Sequence, residues 1–332
     1  MDEKLVLNIK DLVVNYDTDN GIVHAVNGIN IKLQQRHSLG LVGETGAGKT
    51  TTALACLNLV PEPAGVIRNG SIEIDGQNIL ELPESKLQEI RGKGISMIFQ
   101  DPMTALNPVF TVGEQIAESI RIHEHVGEKE AMQRAIEMLE IVGIAANRAK
   151  DYPHQLSGGM KQRVVIAIAL ACHAKLLIAD EPTTALDVTI QAQVLELIRS
   201  YREKFDTAMI LITHDLGIVA ENCDEVAVMY AGNIVEYGTL EDIFNHTKHP
   251  YTEGLFNSLP NIIERRSKLT PIPGMVPDPT NLPKGCVFAD RCAYCTDACR
   301  ATEQEDLWLS DTHMVRCSRY QEPDFKVKRG NE

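Results

Sequence analysis

A run of eight residues near the N-terminus has the composition and spacing of a phosphate-binding loop. The run Gly43-Glu44-Thr45-Gly46-Ala47-Gly48-Lys49-Thr50 fits the pattern G-x-x-x-x-G-K-[ST]. In such a loop, backbone N–H groups and the positive end of the following helix dipole converge on a phosphate. Lys49 would reach the terminal phosphates, and the Thr50 hydroxyl would ligate magnesium. The alternative is a glycine turn between a strand and a helix that binds nothing, and the flanking sequence disfavours it.

A second candidate site begins where an apolar run ends in two carboxylates. Residues 177–179 are apolar, and Asp180 and Glu181 follow directly. The run is typical of a buried parallel strand, whose carboxyl end would deliver both acids to the edge of a sheet. Beside a phosphate loop, Asp180 would hold magnesium through water, and Glu181 would orient and polarise the attacking water. Without such a loop, the same run would indicate little.

A third motif places two glycines at the predicted start of a helix. Leu156-Ser157-Gly158-Gly159-Met160 precedes Lys161-Gln162-Arg163 and a nearly all-apolar run. Backbone N–H groups and a positive dipole end would again face outward, with a serine hydroxyl beside them. The motif therefore predicts a second phosphate-binding helix start in a chain with one phosphate loop. Taken alone, the motif is better explained as a serine N-cap with a flexible glycine pair.

Hydrophobic spacing predicts the elements that must position these groups. A short buried strand at 38–42 precedes the phosphate loop, and a helix at 51–59 follows it. Strands are also predicted at 4–16, 71–75, 95–99, 176–179 and 209–212, a hairpin at 226–237, and helices within 112–149 and 162–171. The alternation predicts an α/β sheet with an inserted helical segment at about 101–155. We predict one domain over 1–244 and a C-terminal extension over 245–332, which includes a proline-rich linker.

Composition narrows the function classes. The chain has 332 residues, 44% hydrophobic and 23% charged, and a net charge of −14. The acidic charge lies in the first 244 residues and disfavours non-specific binding to nucleic acid or anionic lipid. No apolar run approaches the ~20 residues that cross a bilayer, and the charged N-terminus lacks the core of a signal peptide. We therefore expect a cytoplasmic protein whose membrane contacts are made through partners.

The eight cysteines are unevenly distributed. Cys56, Cys172 and Cys223 are scattered and are predicted to be buried small hydrophobes. The remaining five crowd into the last fifth of the chain: Cys286, Cys292, Cys295, Cys299 and Cys317. In a reducing cytoplasm, such crowding indicates a metal or cluster more than a disulfide framework.

The phosphate loop, Leu-Ser-Gly-Gly and Asp180-Glu181, in that order, resemble the ABC ATPases over roughly 4–240. Further positions match the family's Q-loop glutamine, its D-loop, its switch histidine and the aromatic residue that stacks on adenine: Gln100, Ala185-Leu186-Asp187, His214 and Tyr16. The resemblance implies a P-loop NTPase fold, an α/β ABC ATPase with a RecA-like core and an inserted helical subdomain. A cysteine-containing extension follows that core here.

The resemblance also implies a set of functional residues. Catalysis would fall to Glu181 as the group that activates water, His214 at the γ-phosphate, and Gln100, which would reach the magnesium site and the membrane partner. Magnesium would be held by Thr50, Gln100 and Asp180. ATP would be bound by Tyr16, Gly43, Glu44, Thr45, Gly46, Ala47, Gly48, Lys49, Thr50, Thr51, Gln100 and Asp180, and by Ser157, Gly158, Gly159 and Asp187.

In ABC ATPases two copies face each other head to tail. The resemblance implies that residues 157–159 of one copy close over ATP held by residues 43–50 of the other. Neither site would then be complete in a monomer, and hydrolysis would release the pair. Each implied catalytic position is intact, so we expect a subunit competent for hydrolysis.

Three further segments resemble the dipeptide/oligopeptide importer subfamily, which also contains nickel importers. They are Gln100-Asp101-Pro102-Met103-Thr104-Ala105-Leu106-Asn107-Pro108, His249-Pro250-Tyr251-Thr252 with Ser258-Leu259-Pro260, and Gly285-Cys286-Val287-Phe288 with Arg291-Cys292. The implied partners are a second ABC ATPase, different rather than identical, two integral membrane permease subunits and an extracytoplasmic substrate-binding protein. The implied location is the cytoplasmic face of the membrane.

The cysteine segment leaves its ligand open on spacing alone. Thiolates at such density bind soft metals, and one C-x-x-C pair would suit zinc, although a second pair is missing. The resemblance implies a [4Fe–4S] cluster at Cys286, Cys292, Cys299 and Cys317. Cys295 departs from that pattern by offering a fifth thiolate, so the assignment of any one cysteine stays open.

Other function classes fit less well. A soluble ABC protein acting on ribosomes would carry two ATPase units per chain, and a DNA-repair relative would place a long coiled coil between Lys49 and Ser157, where no sustained heptads occur. An exporter half-transporter would need a membrane domain. Within the importer class, dipeptides, longer peptides, nickel and sugars remain open, because specificity lies in the binding protein and the membrane subunits.

Overall fold

The computed structural model describes residues 4–101, 105–183, 187–258 and 271–328. Parts of three predicted motifs lie outside the described residues: 102–104 after Gln100, 184–186 before Asp187, and Leu259-Pro260.

Strands build two sheets. In chain order they are β1 (Leu5–Thr18), β2 (Gly21–Gln34), β3 (Ser38–Val42), β4 (Gly65–Ile74), β5 (Gln77–Asn78), β6 (Ile95–Ile98), β7 (Leu176–Asp180), β8 (Ala208–Ile212), β9 (Glu225–Tyr230), β10 (Asn233–Thr239), β11 (Leu307–Trp308) and β12 (Met314–Val315). The sequence patterns located most of them, but they missed β2, the two-residue strand β5 and both strands of the extension.

The helices lie between and around these strands. They are α1 (Lys49–Cys56), α2 (Glu84–Lys93), α3 (Val112–Glu124), α4 (Glu128–Ile141), α5 (Gly158–Leu170), α6 (Val188–Phe205), α7 (Leu216–Asn222), α8 (Leu240–Asn245), α9 (Pro250–Asn257) and α10 (Asp297–Ala301). The helical segment predicted within 112–149 forms α3, α4 and a 3-10 turn. A capping box at Thr111 and Glu114 fixes the start of α3. None of the helices in the described ranges is long and apolar enough to span a membrane.

The larger sheet places the candidate site at one edge. Its strand order is β11-β12-β10-β9-β3-β8-β7-β6, and β9, β3, β8, β7 and β6 run parallel. Every residue of β3, β7 and β8 is buried. The chain leaves β3, β6, β7 and β8 at the same edge, where the carboxyl ends of parallel strands gather functional loops.

The smaller sheet is antiparallel, in the order β2-β1-β4-β5. Its inner face packs on the larger sheet: Leu7, Ile31 and Ile72 share a buried cluster with Leu39 and Ile178. Helices α3, α4 and α5 join a second cluster on the other side of the larger sheet. The phosphate loop therefore leaves a strand that is covered on both faces.

The C-terminal extension is joined to the larger sheet. Strand β12 pairs antiparallel with β10 through Glu236–Val315 and Tyr237–Met314, and β11 pairs with β12. Glu236 is fully buried and accepts hydrogen bonds from the backbone N–H groups of Lys248 and His249 and from His313 Nε2. The predicted division at 244 thus lies near the end of α8. The segments on its two sides share a sheet, through β10 and β12, and the buried polar contacts of Glu236.

Candidate active site

The phosphate loop connects β3 to α1 and depends on glycine where neighbouring backbone approaches closely. A Cβ on Gly43 would lie 2.2 Å from the Met229 carbonyl oxygen, and one on Gly48 would lie 2.4 Å from that of Ala25. Both residues also have positive φ, +153° and +102°. The loop thus lies against β2 and β9, and any residue with a Cβ at position 43 or 48 would be strained there.

Lys49 lies at the first position of α1 and is 8% exposed. Its Nζ donates to the carbonyl oxygens of Gly43 at 2.7 Å and Glu44 at 3.0 Å. Burial lowers the pKa of Lys49, while the carboxylates of Glu181, Asp180 and Glu44 oppose that shift. The ammonium group therefore lies over the loop, among carboxylates, with backbone oxygens as partners that phosphate oxygens could replace.

Thr50 and Asp180 bring two hard oxygen donors together beside the loop. The Thr50 hydroxyl donates to Asp180 Oδ2 at 2.8 Å, and Asp180 is 2% exposed at the end of β7. Burial raises the pKa of Asp180, the hydrogen bond from Thr50 lowers it, and the Glu181 carboxylate raises it further. A nearby cation would stabilise the charged form of a carboxylate whose pKa is raised in this way. Oxygen atoms are also the ligands that Mg²⁺ prefers. The pair therefore fits a magnesium site.

Glu181 contacts both of the other candidate catalytic side chains, Gln100 and His214. Gln100 Nε2 donates to its Oε2 at 2.8 Å, and His214 Nδ1 lies 3.3 Å from its Oε1. Its backbone has φ +46°, and its N–H donates to the Ile212 carbonyl at 2.9 Å. The three residues follow β6, β7 and β8, so adjacent parallel strands bring them to one point. Sequence reasoning had named all three.

The glycine pair begins α5, and part of it is open to solvent. The Ser157 hydroxyl caps the helix by accepting from the N–H of Met160 at 3.3 Å. Gly158 is exposed, and a Cβ there would meet nothing within 4 Å. A Cβ on Gly159 would meet only Ile190, at 3.5 Å. Contacts among the described residues therefore do not explain why both residues are glycine.

Two other predicted residues are placed by local hydrogen bonds. Tyr16 is half-buried in β1, and its hydroxyl lies 3.3 Å from that of Thr51 on α1. Asp187 is exposed and caps α6 by accepting from the N–H of Ile190 at 3.0 Å. The structure thus puts Tyr16 beside the helix that follows the phosphate loop, and Asp187 at the start of α6.

The five C-terminal cysteines come together without forming a disulfide. The N–H of Cys286 donates to the Cys299 carbonyl at 2.7 Å, and that of Cys295 donates to the Cys292 carbonyl at 3.3 Å. Burial, together with the nearby thiols of Cys286, Cys292 and Cys299, raises the pKa of Cys317 to about 12. Sulfur donors in this number suit a thiolate-bound centre. As the described part of the chain is arranged, no three His, Cys, Asp or Glu side chains form a group that could hold a metal ion.

The three scattered cysteines are buried, as the sequence predicted. Burial raises the pKa of Cys56 and Cys223 to about 12 and that of Cys172 to about 11. They are therefore protonated and unreactive under ordinary conditions.

Sequence reasoning missed two residues that contact the phosphate loop. Arg291 forms a double hydrogen bond with the Glu44 carboxylate, and the Tyr251 hydroxyl accepts from the N–H of Glu44. Both lie in segments that had been noted as subfamily patterns, but no periodicity reveals a contact between residues 247 positions apart.

Two family models match the chain. The model described as "ABC transporter" matches residues 26–184, and the one described as "Oligopeptide/dipeptide transporter, C-terminal region" matches residues 235–299.

Curated relatives match over nearly the whole chain. The oligopeptide transport ATP-binding protein OppD of Bacillus subtilis is 50% identical over 314 residues, which cover 94% of this chain and 88% of that protein. The dipeptide transport ATP-binding protein DppD of the same organism is 46% identical, with 94% of each chain covered.

Solved structures share the fold of about 70% of this chain. The ATP-binding cassette MJ0796, solved as a post-hydrolysis dimer bound to ADP and Pi, superposes with a TM-score of 0.64 at 25% identity and covers 70% of this chain and 98% of its own. The structure of cbiO1 from Clostridium perfringens, part of the transporter complex cbiONQ, gives a TM-score of 0.61 at 29% identity over 73% and 91% of the two chains.

Proposed function

The chain belongs to the ATP-binding subunits of ABC transporters of the oligopeptide/dipeptide type, and on that premise we propose that it couples ATP hydrolysis to peptide import. The family and the α/β ABC ATPase fold predicted from the sequence are confirmed, as is the ATPase activity. The observation that carries the mechanism is the hydrogen-bonded set of Gln100, Glu181 and His214 beside Lys49 and the Thr50–Asp180 pair.

Each group in this set has a distinct part in hydrolysis. The loop amides and Lys49 would bind the phosphates, and Thr50 and Asp180 would hold magnesium, which would supply positive charge to offset that of the phosphates. Glu181 accepts a proton from the attacking water. Gln100 and His214 hold the Glu181 carboxylate from two sides, and His214, being largely exposed, can turn toward a γ-phosphate.

The site is completed by a second ATPase subunit arranged head to tail. Two observations support this arrangement: Ser157 and Gly158 are exposed at the start of α5, and no contact among the described residues requires glycine at 158. The N–H groups at the start of a helix can bind an anion. Here that start is exposed at Ser157 and Gly158, where an anion held by another subunit could reach it. The partner would be a related but different subunit.

Membrane permease subunits would contact the surface beside Gln100. A groove of about 280 Å³ lies between β6, α3 and α5, and Phe99 is 41% exposed on its rim. Val109 and Phe110, 70% and 49% exposed, lie in the segment just before α3. An apolar groove next to a catalytic glutamine suits a short helix presented by a permease at the cytoplasmic face of the membrane. An extracytoplasmic binding protein would deliver the peptide to those permeases.

Peptide import is tested with the assembled transporter in vesicles. We expect hydrolysis of ATP to rise when the binding protein carries a di- or oligopeptide, and labelled peptide to accumulate. Nickel or sugar loaded in the same way serves as the control. Stimulation by nickel or sugar in place of peptides would contradict the peptide assignment, and failure to bind Mg-ATP would contradict the nucleotide site.

Replacing Tyr16 by alanine is expected to weaken ATP binding about fivefold, because an aromatic–base stack contributes about 1–3 kcal/mol and the base keeps its other contacts. Tyr16→Phe keeps the ring, loses only the contact with the Thr51 hydroxyl, and should bind ATP as the wild type does. The measurement is calorimetric titration with a non-hydrolysed Mg-ATP analogue. Equal weakening in both variants would assign the effect to the hydroxyl rather than to stacking.

We also propose that Cys286, Cys292, Cys299 and Cys317 hold a [4Fe–4S] cluster. The support is the electrostatic influence of the first three thiols on Cys317; the described residues are not spaced as a metal-binding group, so the thiols would have to move together to bind it. Protein purified without oxygen is expected to be brown and to hold about four iron and four sulfide per chain. Cys292→Ser should lower both, whereas Cys223→Ser, at a buried lone thiol, should leave them unchanged. A colourless preparation that holds zinc would decide for the zinc alternative.

A further inference from the structure

The C-terminal extension contacts the phosphate loop at Glu44. Arg291 Nη1 donates to Glu44 Oε2 at 2.8 Å, and Nη2 donates to Oε1 at 3.1 Å. The backbone N–H of the same glutamate donates to the Tyr251 hydroxyl at 2.9 Å. Two residues from beyond position 245 thus fix both the side chain and the backbone of a loop residue.

Arg291 is built into this contact rather than lying on the surface. Its side chain is 7% exposed, whereas that of Glu44 is 29% exposed. Its remaining donors reach the carbonyl oxygen of Pro273 at 3.0 Å and the Tyr230 hydroxyl at 3.3 Å. A guanidinium group held on several sides forms a fork that fits a carboxylate in one orientation.

Tyr251 is equally fixed. It is fully buried and packs against Tyr230 and Phe288, with ring centroids 4.6 and 5.4 Å apart. Its hydroxyl therefore offers the N–H of Glu44 an acceptor at a defined place. A rigid aromatic cluster carries both contacts.

Glu44 also supplies a backbone partner of Lys49. The Glu44 carbonyl accepts from Lys49 Nζ at 3.0 Å, so the residue held by the extension in turn holds the phosphate-binding ammonium. The Glu44 carboxylate would repel a triphosphate bound in the loop, and the ion pair with Arg291 neutralises it. Position and charge of the loop thus both depend on the extension.

We propose that Arg291 and Tyr251 are positioning residues of the nucleotide site, which act through Glu44 to set the phosphate loop and Lys49 for Mg-ATP. This inference rests on the proposed binding of ATP at residues 43–50. It makes the extension part of the nucleotide-binding machinery.

The test measures the affinity of the full chain for a non-hydrolysed Mg-ATP analogue. Arg291→Met is expected to raise Kd about tenfold, as expected for a charge-assisted pair, and Arg291→Lys should fall between Arg291→Met and wild type because it cannot form the fork. Tyr251→Phe should raise Kd about threefold, on the scale of one neutral hydrogen bond. In the assembled transporter, Arg291→Met should raise KM for ATP with kcat at saturating ATP close to wild type.

A matched variant separates positioning from general weakening of the extension. Arg316 is also largely buried, with its side chain 16% exposed. It donates to Asp306 Oδ1 at 2.6 Å and to Asn233 Oδ1 at 2.9 Å, and neither of these partners belongs to the phosphate loop. Arg316→Met should leave Kd unchanged, whatever it does to thermal stability. The double variant Glu44→Gln, Arg291→Met should bind no more weakly than Arg291→Met alone, since both changes break one contact.

Three results would overturn the inference. They are wild-type affinity in folded Arg291→Met, an equal loss in Arg316→Met, or losses from Glu44→Gln and Arg291→Met that multiply in the double variant. Lys49→Ala tests the nucleotide site independently: if it binds Mg-ATP normally, residues 43–50 are not the site.

Discussion

Replacing Glu181 by glutamine is expected to lower ATP hydrolysis by the assembled transporter by about 10²- to 10⁴-fold, the contribution typical of a general base. Glutamine has the same shape and can still accept from Gln100 Nε2, but it cannot take a proton from water. Binding of Mg-ATP should persist, because the phosphates are held by the loop and Lys49. The variant should therefore accumulate as an ATP-bound closed pair of ATPase subunits.

Phosphate release under saturating ATP gives the rate, and light scattering with and without ATP gives the association state. Glu137→Gln, on the exposed face of α4, is the matched control and should hydrolyse ATP as the wild type does. Wild-type turnover in Glu181→Gln would show that another group activates the water.

Replacing Gly159 by aspartate is expected to abolish transport-coupled hydrolysis, by at least about 100-fold, while this chain's own loop binds Mg-ATP normally. The substitution fits the folded chain, since among the described residues a Cβ at Gly159 meets Ile190 alone, at an ordinary contact distance of 3.5 Å. The helix dipole also stabilises a carboxylate in the first turn of the helix. The damage arises only when the turn closes over the partner's γ-phosphate, which the new charge repels.

Gly159→Asn supplies the same shape without the charge, and it should retain markedly more activity than the aspartate variant. Thermal unfolding of the isolated chain should be similar for the two variants. If the aspartate variant supports peptide transport at the wild-type rate, residues 157–159 do not complete a site across the dimer.

Much of the candidate site could be predicted because its motifs lie where parallel strands end. Gln100, Glu181 and His214 each follow a short apolar run, and the order β8-β7-β6 places those runs side by side. Glycine, lysine and threonine at fixed spacing likewise determine the loop locally. Adjacent elements of this kind need no knowledge of distant contacts.

The rest could not be predicted because it depends on contacts between distant residues. In the 14-residue strand β2, Ile29, Ile31 and Leu33 do alternate with polar residues, so this half carried a strand signal that was missed. Its first half lacks that pattern, and pairing with β1 stabilises the strand there. Arg291 and Tyr251 reach Glu44 only after the extension folds back on the core. Such pairings have no sequence period, so composition and spacing carry no trace of them.

The pairing of β12 with β10 has a practical consequence for shorter versions of the chain. A protein cut near 244 would leave β10 as an open sheet edge and strip the buried Glu236 carboxylate of its partners Lys248, His249 and His313. Open edges recruit other chains, and a desolvated carboxylate without donors favours local unfolding. Such a fragment should aggregate on expression, so a minimal soluble unit has to retain the cysteine-bearing tail.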